Sequence, residues 1–164
     1  MLLFLQEFNI SRITSFKEID MDTDVSKTKD QKKVYEFPHY IAKSQNGWGV
    51  DMEGTEAVDG SSIDHAGIIG LPMINFTIEA AGIKKARVCN KRGKWLDYKN
   101  GYDINNPLGD DTGITGIEIV GAGYIVAVHV KGGSWLHTIK TSDVEGEMIL
   151  GANRLIDAIW IDKI

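Results

Sequence analysis

Alternating apolar and polar positions run through the later part of the chain and predict short β-strands. Tyr124–Val130 is rich in β-branched residues, residues 135–139 and 155–161 alternate, and residues 147–150 form a shorter strand. No long segment with a helical period separates these runs. The pattern therefore predicts an all-β domain.

The same pattern occurs three times, each time around a tryptophan that follows a glycine-containing turn. These tryptophans are Trp48, Trp95 and Trp135. After each comes a loop with a glycine, taken as Gly70, Gly113 or Gly151, and then an alternating apolar strand. The repetition predicts three repeats, at about residues 34–80, 81–121 and 122–164.

Three repeats of about four strands each predict a β-trefoil, with a β-prism or a β-sandwich as the alternatives. Residues 1–33 lie outside the repeats and form an amino-terminal extension. Its first half is apolar, and residues 20–33 are almost wholly polar, like a linker. We expect the apolar half to pack on the domain or on another subunit.

Composition narrows the class of protein. Eighteen glycines in 164 residues fit many tight turns between short strands, and the lone Cys89 excludes an internal disulfide and a cysteine-based metal cluster. Eighteen Lys and Arg against twenty-three Asp and Glu argue against a general nucleic-acid binder. Residues 1–5 are apolar but too short for a membrane span, and without a basic leader they do not predict a signal peptide. We therefore expect synthesis in the cytoplasm.

Catalytic chemistry is not indicated. The four histidines, His39, His65, His129 and His137, show no zinc-ligand spacing, and the acidic residues collect in loops rather than at matched strand ends. The residues predict no metal, no cofactor and no enzyme activity for this chain by itself.

Aromatic rings beside turns are where a saccharide site is sought, because sugars stack their C–H faces on such rings. Trp48, Trp95 and Trp135 qualify by position, although a tryptophan in each of three repeats can equally form a core layer. Trp160 differs from them. The period of two points it away from Ile159 and Ile161, and its counterparts in the other repeats are polar, Thr77 and Glu118.

An outward tryptophan needs a cover: a ligand, another subunit, or the apolar start of the chain. The interface candidates are therefore Trp160 together with Phe4, Leu5 and Phe8. A homo-oligomer formed through the amino-terminal segment is one consequence of this interpretation.

Residues 127–136 and 155–161, with Lys94-Trp95-Leu96 and residues 100–105, resemble the carboxy-terminal repeats of clostridial phage endolysins and related cell-wall hydrolases. The resemblance extends over about residues 35–164, is weaker in the first repeat, and includes no hydrolase domain. It implies a region that binds peptidoglycan or a secondary wall polymer and targets a lytic domain or subunit to it. The candidate ligand-binding residues are then Trp48, Trp95, Trp135, Arg87, His129, Asp103, Asn105 and Asp157.

The expected function is a non-catalytic carbohydrate-binding module that attaches a phage or bacterial lytic or adhesive machine to Gram-positive cell wall. It would act at the bacterial wall, in phage lysis or on the virion. The alternative is a structural or assembly subunit, of a phage particle or an oligomer, that binds no saccharide.

Overall fold

A computed structural model describes residues 34–164, which form β-strands and loops and, within that range, no helix. The all-β prediction is confirmed. The strands in chain order are β1 His39–Ser44, β2 Gly47–Trp48, β3 Met52–Glu53, β4 Glu56–Ala57, β5 Ala66–Gly67, β6 Asn75–Glu79, β7 Lys85–Asn90, β8 Ile114–Val120, β9 Tyr124–Val130, β10 Ile139–Lys140, β11 Ile149–Leu150 and β12 Ile156–Lys163.

The described residues build three antiparallel sheets, each around one long strand pair. The pairs are β1 with β6, β7 with β8, and β9 with β12, which are the first and last long strands of each predicted repeat. Short strands extend them to the orders β2-β1-β3-β4, with β6 also paired to β1, β11-β8-β7 and β10-β9-β12-β5, and none of the three sheets closes on itself. Long antiparallel pairs form because each strand offers an apolar face to the core.

The segment after Trp135 is less regular than the alternation predicts. Trp135 makes a single bridge to His129 of β9, and regular pairing begins only at β10, Ile139–Lys140. The residues between are mostly exposed. Leu136 and Ile139 pack against the core only partly, and this segment forms no continuous strand.

Short segments link the three sheets in a ring. Strand β5, from the first predicted repeat, pairs with β12 in the third, and β11, from the third, pairs with β8 in the second. Leu108, from the second, forms a bridge with Phe76 of β6 in the first. Each predicted repeat thus contributes one segment to the last strand of another.

A glycine marks each of these links. Gly67, Gly109 and Gly151 all have positive φ, at 93°, 111° and 140°. A Cβ atom at any of these positions would overlap a backbone carbonyl oxygen in or just before the neighbouring strand. The oxygen is that of Asp157 for Gly67, of Ile74 for Gly109 and of Thr115 for Gly151. Only glycine permits both this φ and this closeness.

These positions correct the sequence prediction, which took Gly70, Gly113 and Gly151 as the matching loop glycines. Gly70 has a positive φ but faces open space, and Gly113 lies against the Leu155 side chain rather than against backbone. Glycines are frequent in these loops, so spacing alone does not distinguish the one that contacts the neighbouring strand.

The hydrophobic core is formed by alternate positions of the last strands. Ile117 and Ile119 of β8 and Ile159 and Ile161 of β12 are fully buried, and Phe76 and Ile78 of β6 join them. Each such side chain contributes about 1.5–3 kcal/mol by burial. The intervening positions, Thr77, Glu118 and Trp160, lie outside the core cluster, as the period of two predicts.

Backbone hydrogen bonds join the three last strands where they begin. Met73 N–H donates to the Ile156 carbonyl over 2.8 Å, and Ile114 N–H donates to the Met73 carbonyl over 3.0 Å. All three side chains are buried. The strands therefore enter the core side by side.

The close approach at Gly151 predicts a large loss of stability when a methyl group is added. Gly151→Ala should lower the free energy of unfolding by about 2 kcal/mol more than Gly123→Ala, because overpacking adds to the strain of positive φ. Gly123 has a φ of 110° and open space around its α-carbon, so it is the matched control. Denaturant unfolding measures both, and equal losses would contradict the packing argument.

Candidate functional site

The three repeated tryptophans lie outside the hydrophobic core. Each is paired with the first strand of its predicted repeat: Trp48 with Lys43, Trp95 with Cys89, and Trp135 with His129. Trp48 and Trp95 are half-buried, and Trp135 is 40% exposed. The three tryptophans therefore do not form a layer of the core.

Trp135 and Trp160 line one pocket of about 400 Å³, together with Asp64, His65 and Ala127. We call it the Trp135–Trp160 pocket. Ala127 of β9 pairs directly opposite Trp160 of β12, and its small side chain forms part of the pocket lining.

The loop before β5 supplies the polar side of this pocket. His65 meets the Trp135 ring edge-on, with ring centres 5.5 Å apart, and the Asp64 side chain is 79% exposed beside it. The pairing of β5 with β12 brings this loop to the indoles. The pocket thus combines flat apolar walls with a carboxylate that solvent reaches.

His129 and Asp157 support Trp135. His129 Nδ1 lies 2.7 Å from Asp157 Oδ1, and the edge of the His129 ring contacts the Trp135 ring at 5.4 Å between centres. Asp157 is fully buried, and its other oxygen accepts the Gly70 N–H over 2.6 Å. Asp157 is thus placed to orient His129 and to fix the loop at Gly70 rather than to meet a ligand.

Arg87 and Trp95 also come together, but they contact each other. The Arg87 guanidinium carbon lies 4.9 Å from the centre of the Trp95 ring and 4.6 Å from that of Tyr98. Arg87 Nε donates to Glu118 Oε1 over 2.7 Å. We call these four residues the Arg87 stack.

The carboxylate of the Arg87 stack is removed from solvent. Glu118 is fully buried and accepts the Tyr98 hydroxyl over 3.1 Å and the Gly146 N–H over 2.6 Å, besides Arg87. Burial, reinforced by the hydrogen bond to Glu118, raises the pKa of the Tyr98 phenol. A buried carboxylate with three donors is a structural ion-pair centre.

Beside Trp95 there is also a depression of about 300 Å³, lined in part by Lys94, Asp97, Lys99 and Asp110. It offers charged side chains and a single indole. The ring of Trp48, in the first sheet, has the Lys43 ammonium 5.9 Å from its centre. Neither place offers two facing aromatic walls.

Asp103 and Asn105 lie in an exposed loop. The Asp103 carboxylate accepts the Asn105 N–H over 2.9 Å, and the Asp103 N–H donates to the Thr77 hydroxyl over 2.9 Å. These contacts form a turn that covers Thr77. The structure does not bring this pair into the Trp135–Trp160 pocket.

Sequence reasoning assigned no role to a third cluster, formed on the first sheet. The His39 ring stacks between Tyr35 and Tyr102, with ring centres 4.3 and 4.0 Å away. Asp51 lies 2.9 Å from His39 Nε2 and accepts the Tyr102 hydroxyl over 2.9 Å. Burial, followed by the hydrogen bond to Asp51, raises the pKa of Tyr102.

Asp64 and His65 are the pocket residues that sequence reasoning missed. They lie far from Trp135 and Trp160 along the chain. The local sequence gives little sign of a strand after them, because Ala66 is a single small apolar residue followed by Gly67. Phe4, Leu5 and Phe8, predicted to cover Trp160, lie outside the described residues, so the interface hypothesis stays a prediction.

Comparison of the chain with protein-family models, with curated proteins and with solved structures finds no match. Within residues 34–164, no three His, Cys, Asp or Glu side chains converge as metal ligands would. The same residues contain no helix long and apolar enough to cross a membrane.

The Arg87 stack predicts a strong stability effect. Arg87→Ala should lower the free energy of unfolding by about 3 kcal/mol, because it leaves the buried Glu118 carboxylate without its cation. Arg87→Met combined with Glu118→Leu should cost much less, since neither charge remains. Chemical denaturation compares the two, and equal losses would show that packing rather than charge dominates.

Proposed function

We propose that residues 34–164 are three copies of one β repeat arranged as a trefoil. The ring of segment exchanges supports this: each copy sends a short segment to the last strand of another, and Gly67, Gly109 and Gly151 make the same backbone contact. The tryptophans also pair with the first strands at corresponding positions. Leu96 and Leu136 donate to the carbonyls of Val88 and Val128, each over 2.9 Å.

We further propose that this domain is a non-catalytic carbohydrate-binding module for a Gram-positive cell-wall polymer. The Trp135–Trp160 pocket carries this proposal. Two indoles facing one opening provide the stacking surfaces that the C–H faces of a sugar require. The pocket volume of about 400 Å³ also lies in the range of small-ligand sites.

The polar groups of the pocket suit the rest of a sugar. The Asp64 carboxylate can accept hydrogen bonds from hydroxyl groups. The buried Asp157, acting through His129, holds Trp135 in place, so the ring is ready before the ligand arrives. Such preorganisation reduces the entropy lost on binding.

The resemblance to endolysin repeats supports the choice of polymer, peptidoglycan or a secondary wall polymer, and the setting of phage lysis or the virion. A lytic domain or subunit would supply catalysis. The copies differ in side chains. In the second copy Arg87 fills the place that corresponds to the Trp135–Trp160 pocket, whereas in the third copy this pocket is open. High avidity on a repetitive polymer then requires several copies of the chain.

Sedimentation with purified Gram-positive cell walls tests the proposal. Wild-type protein should co-sediment, and Trp135→Ala should weaken binding about tenfold, because one of the two stacking surfaces is lost. Ala127→Arg should also weaken binding, since it fills the pocket from within.

Ala122→Arg is the matched control, because it adds the same charge at an exposed turn outside the pocket. It should bind as the wild type does. Wild-type protein that stays in solution with walls of every species tried would overturn the proposal and favour a structural or assembly subunit.

A further inference from the structure

The Arg87 stack and the Trp135–Trp160 pocket occupy corresponding positions. Arg87 pairs with Glu118 across β7 and β8, and Ala127 pairs with Trp160 across β9 and β12. Trp95 bridges Cys89, two residues after Arg87, and Trp135 bridges His129, two residues after Ala127. The backbone register is therefore the same at the two places.

In the second sheet this position is filled by a cation of the chain itself. The planar guanidinium of Arg87 lies against two aromatic rings, those of Trp95 and Tyr98, at 4.9 and 4.6 Å from its central carbon to the ring centres. Such cation–π contacts draw on the negative face of the ring.

In the third sheet no arginine occupies this position, and a pocket lies there instead. Ala127 replaces Arg87, and the pocket of about 400 Å³ opens next to Ala127 and the indole of Trp135, the counterpart of Trp95. Trp160 replaces Glu118 and adds a second aromatic wall. Asp64 supplies a carboxylate from the loop, so negative charge is again close by.

We propose that the Trp135–Trp160 pocket binds a positively charged group of the wall polymer, a protonated amine, in the place that Arg87 takes in the second sheet. That the amine belongs to the wall polymer rests on the proposed wall-binding function. That the pocket binds a cation is argued only from the geometry of the pocket and of the Arg87 stack. A neutral sugar face is the competing ligand, and the experiment below separates the two.

Tryptophan fluorescence titration with methylguanidinium and with methylurea tests the charge directly, because the two probes match in shape and differ in charge. Methylguanidinium should bind the full chain about tenfold more tightly than methylurea. Asp64→Asn should reduce that preference, and since Asp64 is exposed the fold should not depend on it.

Ala127→Arg should abolish methylguanidinium binding, and Ala122→Arg should leave it unchanged. Thermal melting establishes that each variant is folded. Equal dissociation constants for the two probes, or a preference that persists in Ala127→Arg, would overturn the assignment.

Modified walls test the source of the amine. N-acetylation of every free amine should lower wall binding about tenfold. Of the amine-bearing groups, mild alkali removes only the ester-linked aminoacyl groups, so a loss of binding after alkali identifies these rather than amino sugars as the source. Full binding to acetylated walls would overturn the cation assignment and leave the wall-binding function standing. Failure to bind untreated walls while methylguanidinium is still preferred would overturn the wall-binding function instead.

Discussion

The close contact of a glycine with a neighbouring strand's backbone is the constraint on which the rest of the structure depends. Gly67, Gly109 and Gly151 let three loop segments reach the last strands of other sheets, so the three sheets form one ring. The linking segments pair with β6, β8 and β12, the strands whose alternate side chains form the core. They also carry the loop with Asp64 and His65 to the indoles that it faces.

In the proposed threefold repeat, one backbone plan accommodates different chemistry at corresponding positions. Thr77, Glu118 and Trp160 share an outward position, yet one is covered by a loop at Asp103, one is held in the Arg87 stack, and one lines an open pocket. The core positions next to them are apolar in every case. Function can therefore vary in the outward layer while the inner layer maintains stability.

Period-two alternation was sufficient to predict the long strands and the outward direction of Trp160, because both follow from local geometry, but it predicted a strand over residues 135–139 that the structure does not form. It could not predict the pocket, since the loop that brings Asp64 and His65 reaches Trp160 only through the pairing of β5 with β12. Nor could spacing identify Gly67 and Gly109, because their requirement for glycine arises from a neighbouring strand. Arg87 was a candidate for ligand binding, and its contacts with Trp95 and the buried Glu118 could not be predicted, because they depend on a pairing across strands.

We propose that ligand binds in the pocket that Trp135 and Trp160 line. Indole N–H signals of the four tryptophans in ¹⁵N-labelled protein, assigned by Trp→Phe variants, report on each ring separately during titration with solubilised wall fragments that carry free amines. The account predicts shifts of the Trp135 and Trp160 signals with those of Trp48 and Trp95 unchanged. Shifts confined to Trp48 or Trp95 would contradict it.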